Sequence, residues 1–286
     1  MHNAQDMLRP VLVIFNGSRL KTASKQSSLS MTRESKELPE YGVWAQSLGV
    51  KVIQVFDLSF QDLVFQHFPE YQTNGKMAYY TSLDIPKYVH QYRLFDEPGV
   101  CDCHLFYTDN DVLFINPLTC QDMSNLKQKL VGDKFLMYGQ DFLINRPKPS
   151  NTGVMLMDAE GFAREWPSIL DWGEKQKKFP EHDQLWLNRY YADPRRWKRQ
   201  NELLPTHYNW KVYWQLEPNR LEDVQNVHFH GPKPGVGVEA MAHCDAEALE
   251  DLPHPLFKSF VKHAICCDSG KTANSIIDSY NRWKEV

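Results

Sequence analysis

The stretch Leu105-Phe106-Tyr107-Thr108-Asp109-Asn110-Asp111-Val112-Leu113-Phe114-Ile115 decides how the rest of the chain is read. It is an apolar run, then two carboxylates one residue apart, then a second apolar run. If strand geometry continues through them, the alternation of side chains puts Asp109 and Asp111 on the same side. Two convergent carboxylates at the exposed end of a buried strand make a hard-cation site suited to Mg²⁺ or Mn²⁺. Such a cation keeps open positions for phosphate oxygens, so a diphosphate is the expected ligand. The same three residues also suit a plain Asp-Asn-Asp turn.

Outward from this stretch, apolar runs and helical patterns alternate. Val11–Phe15 reads as a first buried strand ending at Asn16-Gly17, and Ser18–Lys36 as a polar loop of the kind that lies over a ligand in α/β folds. Pro39 opens a helix closed by Gly49, and Lys51–Phe56 is a second strand. A short helix is expected around Leu63, Val64 and Phe68. A longer one runs from about Lys76 to Tyr92, bent or divided by Pro86. Further strands are expected at Phe135–Tyr138, at Val154–Met157 and at Val227–His230, with helices at Phe162–Trp172, from Glu181 onward, and over Phe257–Trp283. This alternation predicts an α/β fold with a mixed, mainly parallel central sheet flanked by helices. No linker or repeat interrupts it, so a single domain is expected. In such sheets ligands bind beyond the carboxyl ends of strands, where Asp109 and Asp111 lie.

Composition narrows the classes. The chain has 286 residues and a formal charge of −4, which argues against a general nucleic-acid binder. Thirteen per cent of it is aromatic, which suits either a large core or stacking faces for sugars. Six cysteines contain no C-x-x-C pair, so zinc is not expected and reduced thiols in a cytoplasmic protein are the simpler reading. Met1–Pro10 carries Asp6 and Arg9 and lacks the apolar segment of a signal peptide, and no run is long enough to span a bilayer, so no integral membrane association is expected.

Four pieces follow one another in order: Thr108-Asp109-Asn110-Asp111, Asn151-Thr152-Gly153-Val154, His182-Asp183-Gln184-Leu185-Trp186-Leu187-Asn188, and His228-Phe229-His230-Gly231-Pro232-Lys233-Pro234. Together they resemble the retaining nucleotide-sugar glycosyltransferases of family 8, the glycogenin and galactosyltransferase group, whose fold is called GT-A. The resemblance covers roughly residues 76–235. It implies one GT-A domain, with a nucleotide-binding half over 1–115, an acceptor and metal half over 116–240, and C-terminal helices over 241–286. It also implies a nucleotide-sugar donor, of which a UDP-hexose or UDP-xylose is the first choice, and a glycan, protein or small-molecule acceptor.

By the same resemblance Asp109, Asp111 and His228 are the ligands of Mn²⁺ or Mg²⁺, and Asn110 lies at the donor beside them. Imidazole favours Mn²⁺ over Mg²⁺. Lys233 matches a lysine on the diphosphate, Gly231 belongs to the same segment, and Asn151 and Gly153 match residues at the donor sugar, where glycine permits close backbone approach. Asp183 and Gln184 match the pair beside the transferred sugar. An amide is a feeble nucleophile, so a front-face transfer with retention is implied rather than a covalent intermediate.

This chain departs from the family in three ways. The last segment is one residue shorter than H-x-x-G-x-x-K-P-W and has Gly235 in place of Trp. Ser82 stands where a basic residue is common, with Lys76 or Arg93 as substitutes. The early nucleotide-binding loop is unlike the usual one, with Asn16, Gly17 and Asp57 as the base and ribose contacts. Two other readings stay open: an inverting transferase using Asp141 or Asp183 as general base, and a non-catalytic glycan- or sugar-nucleotide-binding module on the same scaffold.

Overall fold

The computed structural model describes residues 11–15, 40–73, 75–94, 104–114, 116–141, 150–211 and 224–228. They fall into two compact units. One takes the chain up to residue 103 and again from 158 to 197, and the other takes 104 to 157 and 198 onward.

In the first unit, β1 (Val11–Phe15) and β2 (Lys51–Val55) pair in parallel, Val13 opposite Ile53, with α1 (Glu40–Ser47) as their connection. A parallel pair needs such a crossover. Gly49, at φ +80°, supplies the left-handed turn between α1 and β2. Next come α2 (Gln61–His67), two 3₁₀ turns (Pro69–Gln72 and Lys76–Asp84) and α3 (Ile85–Gln91). The helix expected over Lys76–Tyr92 is therefore divided. Pro86 sits in the first turn of α3, where its missing N–H costs nothing, and the chain before it keeps the tighter 3₁₀ winding.

The unit is completed by α5 (Ala159–Glu174) and α6 (Asp183–Tyr190). Its core is aromatic: Phe60 meets Trp166 and Trp186 edge-on, Tyr80 and Phe179 meet Trp186 in the same way, and Trp186 is fully buried. Trp186 lies against Gly173, where a Cβ would overlap its ring, and its indole N–H donates to the Ile169 carbonyl at 3.1 Å. These aromatic residues fill a core rather than a sugar platform.

The second unit contains β3 (His104–Thr108), β4 (Val112–Phe114), α4 (Cys120–Lys127), β5 (Leu136–Gln140), β6 (Ser150–Asp158), β7 (Asn201–Leu203) and β8 (Asn226–His228). Helix α7 (Pro194–Gln200) leads into β7. Four strands form a sheet in the order β3-β6-β5-β7, with β5 antiparallel to β6 and parallel to β7, while β4 and β8 form an antiparallel ribbon. The strands are thus mixed, as the α/β reading expected. Strand β6 is buried on both faces from Ser150 to Met157, which is why its sequence is a continuous apolar run after Gly153.

Cys120, the first residue of α4, is disulfide-bonded. This corrects the expectation of reduced thiols. That expectation rested on sequence spacing among the cysteines, which does not see pairs brought together by folding. The other five cysteines lie outside the described residues. So do the closing helices expected over Phe257–Trp283. No helix among the described residues is long and apolar enough to cross a membrane.

Candidate metal centre and sugar-nucleotide site

Strand β3 ends at Thr108, and Asn110-Asp111 form a turn before β4. Strand geometry therefore does not run through the two carboxylates and the turn that these residues also suit is present, yet they converge. Two ladders bring this about. The Asp109 N–H donates to the Gly153 carbonyl at 2.8 Å, which fixes Asp109 beside β6. One residue past Asp111, Val112 stands opposite His228 in the β4/β8 register. The His228 N–H donates to the Trp210 carbonyl at 2.8 Å, which anchors β8 from its other side. One ligand atom from each of Asp109, Asp111 and His228 consequently lies within 4.8 Å of the others. His228 is buried, its Nε2 is 3.4 Å from Asp111 Oδ1, and Tyr107 donates its hydroxyl to Asp109 Oδ1 at 2.8 Å.

The room for this cluster comes from a backbone irregularity. Tyr138 pairs with Met155 but Gly139 pairs with Asn151, so Thr152, Gly153 and Val154 lie between consecutive partners on β6. Such bulges re-aim side chains beside functional sites. A Cβ on Gly153 would overlap His228 Cε1 and lie 2.8 Å from Asp109 Oδ2 and 3.1 Å from Asn151 Oδ1. Glycine is required here by space, not by its φ angle. The set of two carboxylates and one imidazole around that space fits Mn²⁺, and Mg²⁺ less well because of the imidazole.

Two residues that sequence reasoning left out complete the surroundings. Asn209 is buried, and its Oδ1 is 2.8 Å from His228 Nδ1, while its Nδ2 is 3.4 Å from Asn151 Oδ1. Lys211 is fully buried and donates to Asp141 Oδ1 at 3.1 Å. Burial pushes its ammonium below the ordinary lysine value, opposed by the charges of Asp141 and Asp111. Nothing in the local sequence marks either residue. The only signal was a lysine and an asparagine embedded in an otherwise aromatic segment, which predicts loops as readily as a site.

The remaining expected residues divide between the units. Asn110 is exposed in the turn between the carboxylates, and Asn151 is buried at the start of β6. Both lie in the unit that carries the metal cluster. Asp183 and Gln184 open α6 in the first unit. Asp183 is not the cap of that helix: His182 is, its Nδ1 accepting from the Leu185 N–H at 3.2 Å. That leaves the Asp183 carboxylate to accept from the Gln184 N–H at 2.6 Å and from the Ser82 hydroxyl. Ser82, where a basic residue was expected, is thus a partner of Asp183. Burial holds the His182 imidazole below its ordinary value, with Glu181 opposing and Arg189 assisting.

Also in the first unit, Asp57 follows β2 and lines a cavity of about 220 Å³ with Gln54, Lys87 and Gln91. Lys87 reaches within 3.9 Å of the Asp57 carboxylate. Lys76 is exposed and lies over the Tyr71 ring at 5.6 Å, so it is occupied on that surface. Arg93, its alternative, has a φ of 50° just after α3. Asn16, Gly17, Gly231 and Lys233 lie outside the described residues.

No known family's sequence pattern matches this chain, and no curated protein matches it. Among solved structures, similarity is found to glycosyltransferases. GlyE of Streptococcus pneumoniae TIGR4 is 17% identical over 79% of this chain and 56% of its own, with a TM-score of 0.43. The chain therefore spans little more than half of GlyE. Mouse xyloside xylosyltransferase 1 is 12% identical over 67% of this chain and 81% of its own, at a TM-score of 0.42. The galactosyltransferase LgtC, solved with donor and acceptor sugar analogues, is 18% identical over 65% of this chain and 68% of its own, at 0.41.

Proposed function

We propose that this chain is a metal-dependent glycosyltransferase that moves a sugar from a nucleotide-sugar, a UDP-hexose or UDP-xylose first, to a hydroxyl acceptor with retention of anomeric configuration. The observation that carries the reading is the convergence of Asp109, Asp111 and His228 around the space left by Gly153. A divalent cation bound there would neutralise charge on the diphosphate of the donor. Asn110, exposed beside the two carboxylates, offers its amide to the donor, while Asn151, buried beside Asn209, is assigned to the donor sugar by resemblance alone. Gly231 and Lys233 are assigned to the diphosphate by resemblance alone. Asp57, at the carboxyl end of a parallel strand and lining a polar cavity, supports a nucleoside contact in the first unit. Asn16 and Gly17 are its proposed companions.

Asp183 is the residue proposed to accept hydrogen bonds from hydroxyls of the transferred sugar. Its carboxylate is pre-oriented by Ser82 and by the Gln184 N–H, so its rotamer is set before a sugar arrives. Gln184, next to it, presents an amide in place of a nucleophile, which favours retention through the front face. Of the two candidate bases for the inverting alternative, Asp141 is engaged by the Lys211 ammonium and Asp183 by the Ser82 hydroxyl and the Gln184 N–H.

The test is a panel of nucleotide-sugars with the purified protein, with and without Mn²⁺, following free nucleotide and the anomeric configuration of any product. Release from one donor that stops on EDTA addition is the expected result. No turnover and no binding of any donor would reject the reading and leave the binding-module alternative with glycan ligands to be tried.

A further inference from the structure

We propose that Asn209 is a positioning residue for the metal centre: it fixes the tautomer of His228 so that Nε2 presents its lone pair to the Asp109/Asp111 pair. This rests on the metal reading above.

A neutral imidazole carries its proton on one nitrogen, and the partner of the other nitrogen decides which. His228 Nδ1 lies 2.8 Å from the Asn209 side-chain oxygen. The two ends of an asparagine amide are told apart by their neighbours. Here the Asn209 nitrogen faces the Gln140 main-chain carbonyl at 3.4 Å and Asn151 Oδ1 at 3.4 Å. A carbonyl only accepts, so the NH₂ group belongs on that side and the oxygen faces His228. An acceptor facing Nδ1 calls for a proton on Nδ1, which leaves Nε2 free of one. Nε2 is the nitrogen aimed at Asp111, 3.4 Å from its Oδ1. A lone pair facing a carboxylate oxygen is repulsive unless a cation stands between them, which is the arrangement a metal-binding histidine needs.

The fold holds Asn209 in this pose. It is 1% exposed, its N–H donates to the Thr206 carbonyl at 3.0 Å, and the next residue, Trp210, carries the carbonyl that accepts from the His228 N–H. On its far side a Cβ at Gly139 would overlap Asn209 Nδ2 and lie 2.9 Å from Asn209 Cβ. Gly139 is the residue at which the β5/β6 register breaks. The same irregularity therefore makes room for His228, at Gly153, and for the side chain that orients it, at Gly139. Asn209 also joins His228 to Asn151, so the proposed metal ligand and the proposed sugar contact share one amide.

The experiment reads the His228 ring directly. Long-range proton–nitrogen NMR correlations of the full chain are recorded at about pH 8.5, well above the ordinary imidazole pKa, with His228→Gln to assign the resonances. Mn²⁺ affinity is measured on the same samples. The wild-type protein is expected to show the Nδ1–H tautomer. Asn209→Leu is expected to lose it, with Mn²⁺ binding weakened by roughly 10- to 100-fold, the usual loss when a metal-ligating histidine loses its orienting partner. The Nε2–H tautomer in the wild-type protein would overturn the assignment without any variant, as would an Asn209→Leu protein with unchanged tautomer and affinity. A wild-type protein that shows Nδ1–H but binds no Mn²⁺ would sink the metal reading and, with it, the positioning role.

Discussion

His228 occupies the space that any side chain at residue 153 would fill: a Cβ on Gly153 overlaps His228 Cε1 and comes within 2.8 Å of Asp109 Oδ2. Two of the three proposed ligands thus depend on one missing methyl group. Gly153→Ala is predicted to displace the His228 ring and to weaken Mn²⁺ binding by at least tenfold. Overpacking should cost about 1–3 kcal/mol of stability, and thermal unfolding without metal would separate that cost from the binding loss. Unchanged affinity in Gly153→Ala would show that the cradle is not the cation's site.

The Lys211–Asp141 pair gives a second prediction. Lys211 is fully buried and the Asp141 side chain nearly so, at 0% and 6% exposure. Removing one partner strands a buried charge, so Lys211→Met should destabilise the chain by about 3–5 kcal/mol. The double variant Lys211→Met/Asp141→Leu should recover most of that loss, as read by urea denaturation. A double variant as unstable as the sum of the two singles would mean that the pair is not coupled.

These two cases show why the site was only partly legible in the sequence. Asp109, Asp111 and His228 were readable because each sits in a short run of chemistry at a strand edge. Asn209 and Lys211 were not, because their roles come from His228 and Asp141, 19 and 70 residues away in the chain. Periodicity located β6 well, since it buries a continuous apolar run, and it placed β1, β2 and α6 close to their observed bounds. It left open whether Asp109 and Asp111 lie along a strand or at a turn, because their convergence through a turn depends on the pairing of β4 with β8. Cys120 makes the same point for covalent structure.

The helix that carries Asp183 and Gln184 should loosen in acid. His182 caps it through an unprotonated Nδ1, and burial lowers its pKa from 6.5 in the folded state. Below about pH 6.5 the unfolded chain takes up a proton at this residue that the folded chain resists, so stability falls as pH falls. His182→Asn keeps a capping side chain and does not titrate. It is predicted to flatten the decline in melting temperature between about pH 7 and pH 5.5, a window set by the unfolded histidine value. An identical decline in that variant would assign the acid sensitivity elsewhere.

Alkylation of the denatured protein without reductant should leave at least two of the six cysteines unmodified, Cys120 among them, and all six should react after reduction. Mass spectrometry of protein taken straight from its source reads both numbers and names the partner of Cys120. Modification of all six without reductant would contradict the bond. Persistence of the bond in the cell would point to an oxidising compartment.

The central claim is that Asp109, Asp111 and His228 hold one divalent cation. Mn²⁺ binding followed by electron paramagnetic resonance, with and without a nucleoside diphosphate, tests it most directly in the wild-type protein and in Asp111→Asn. The account predicts one Mn²⁺ per chain, tightened by the diphosphate and weakened by at least tenfold in the variant. Mn²⁺ binding that is absent under both conditions, or equally strong in Asp111→Asn, would contradict it.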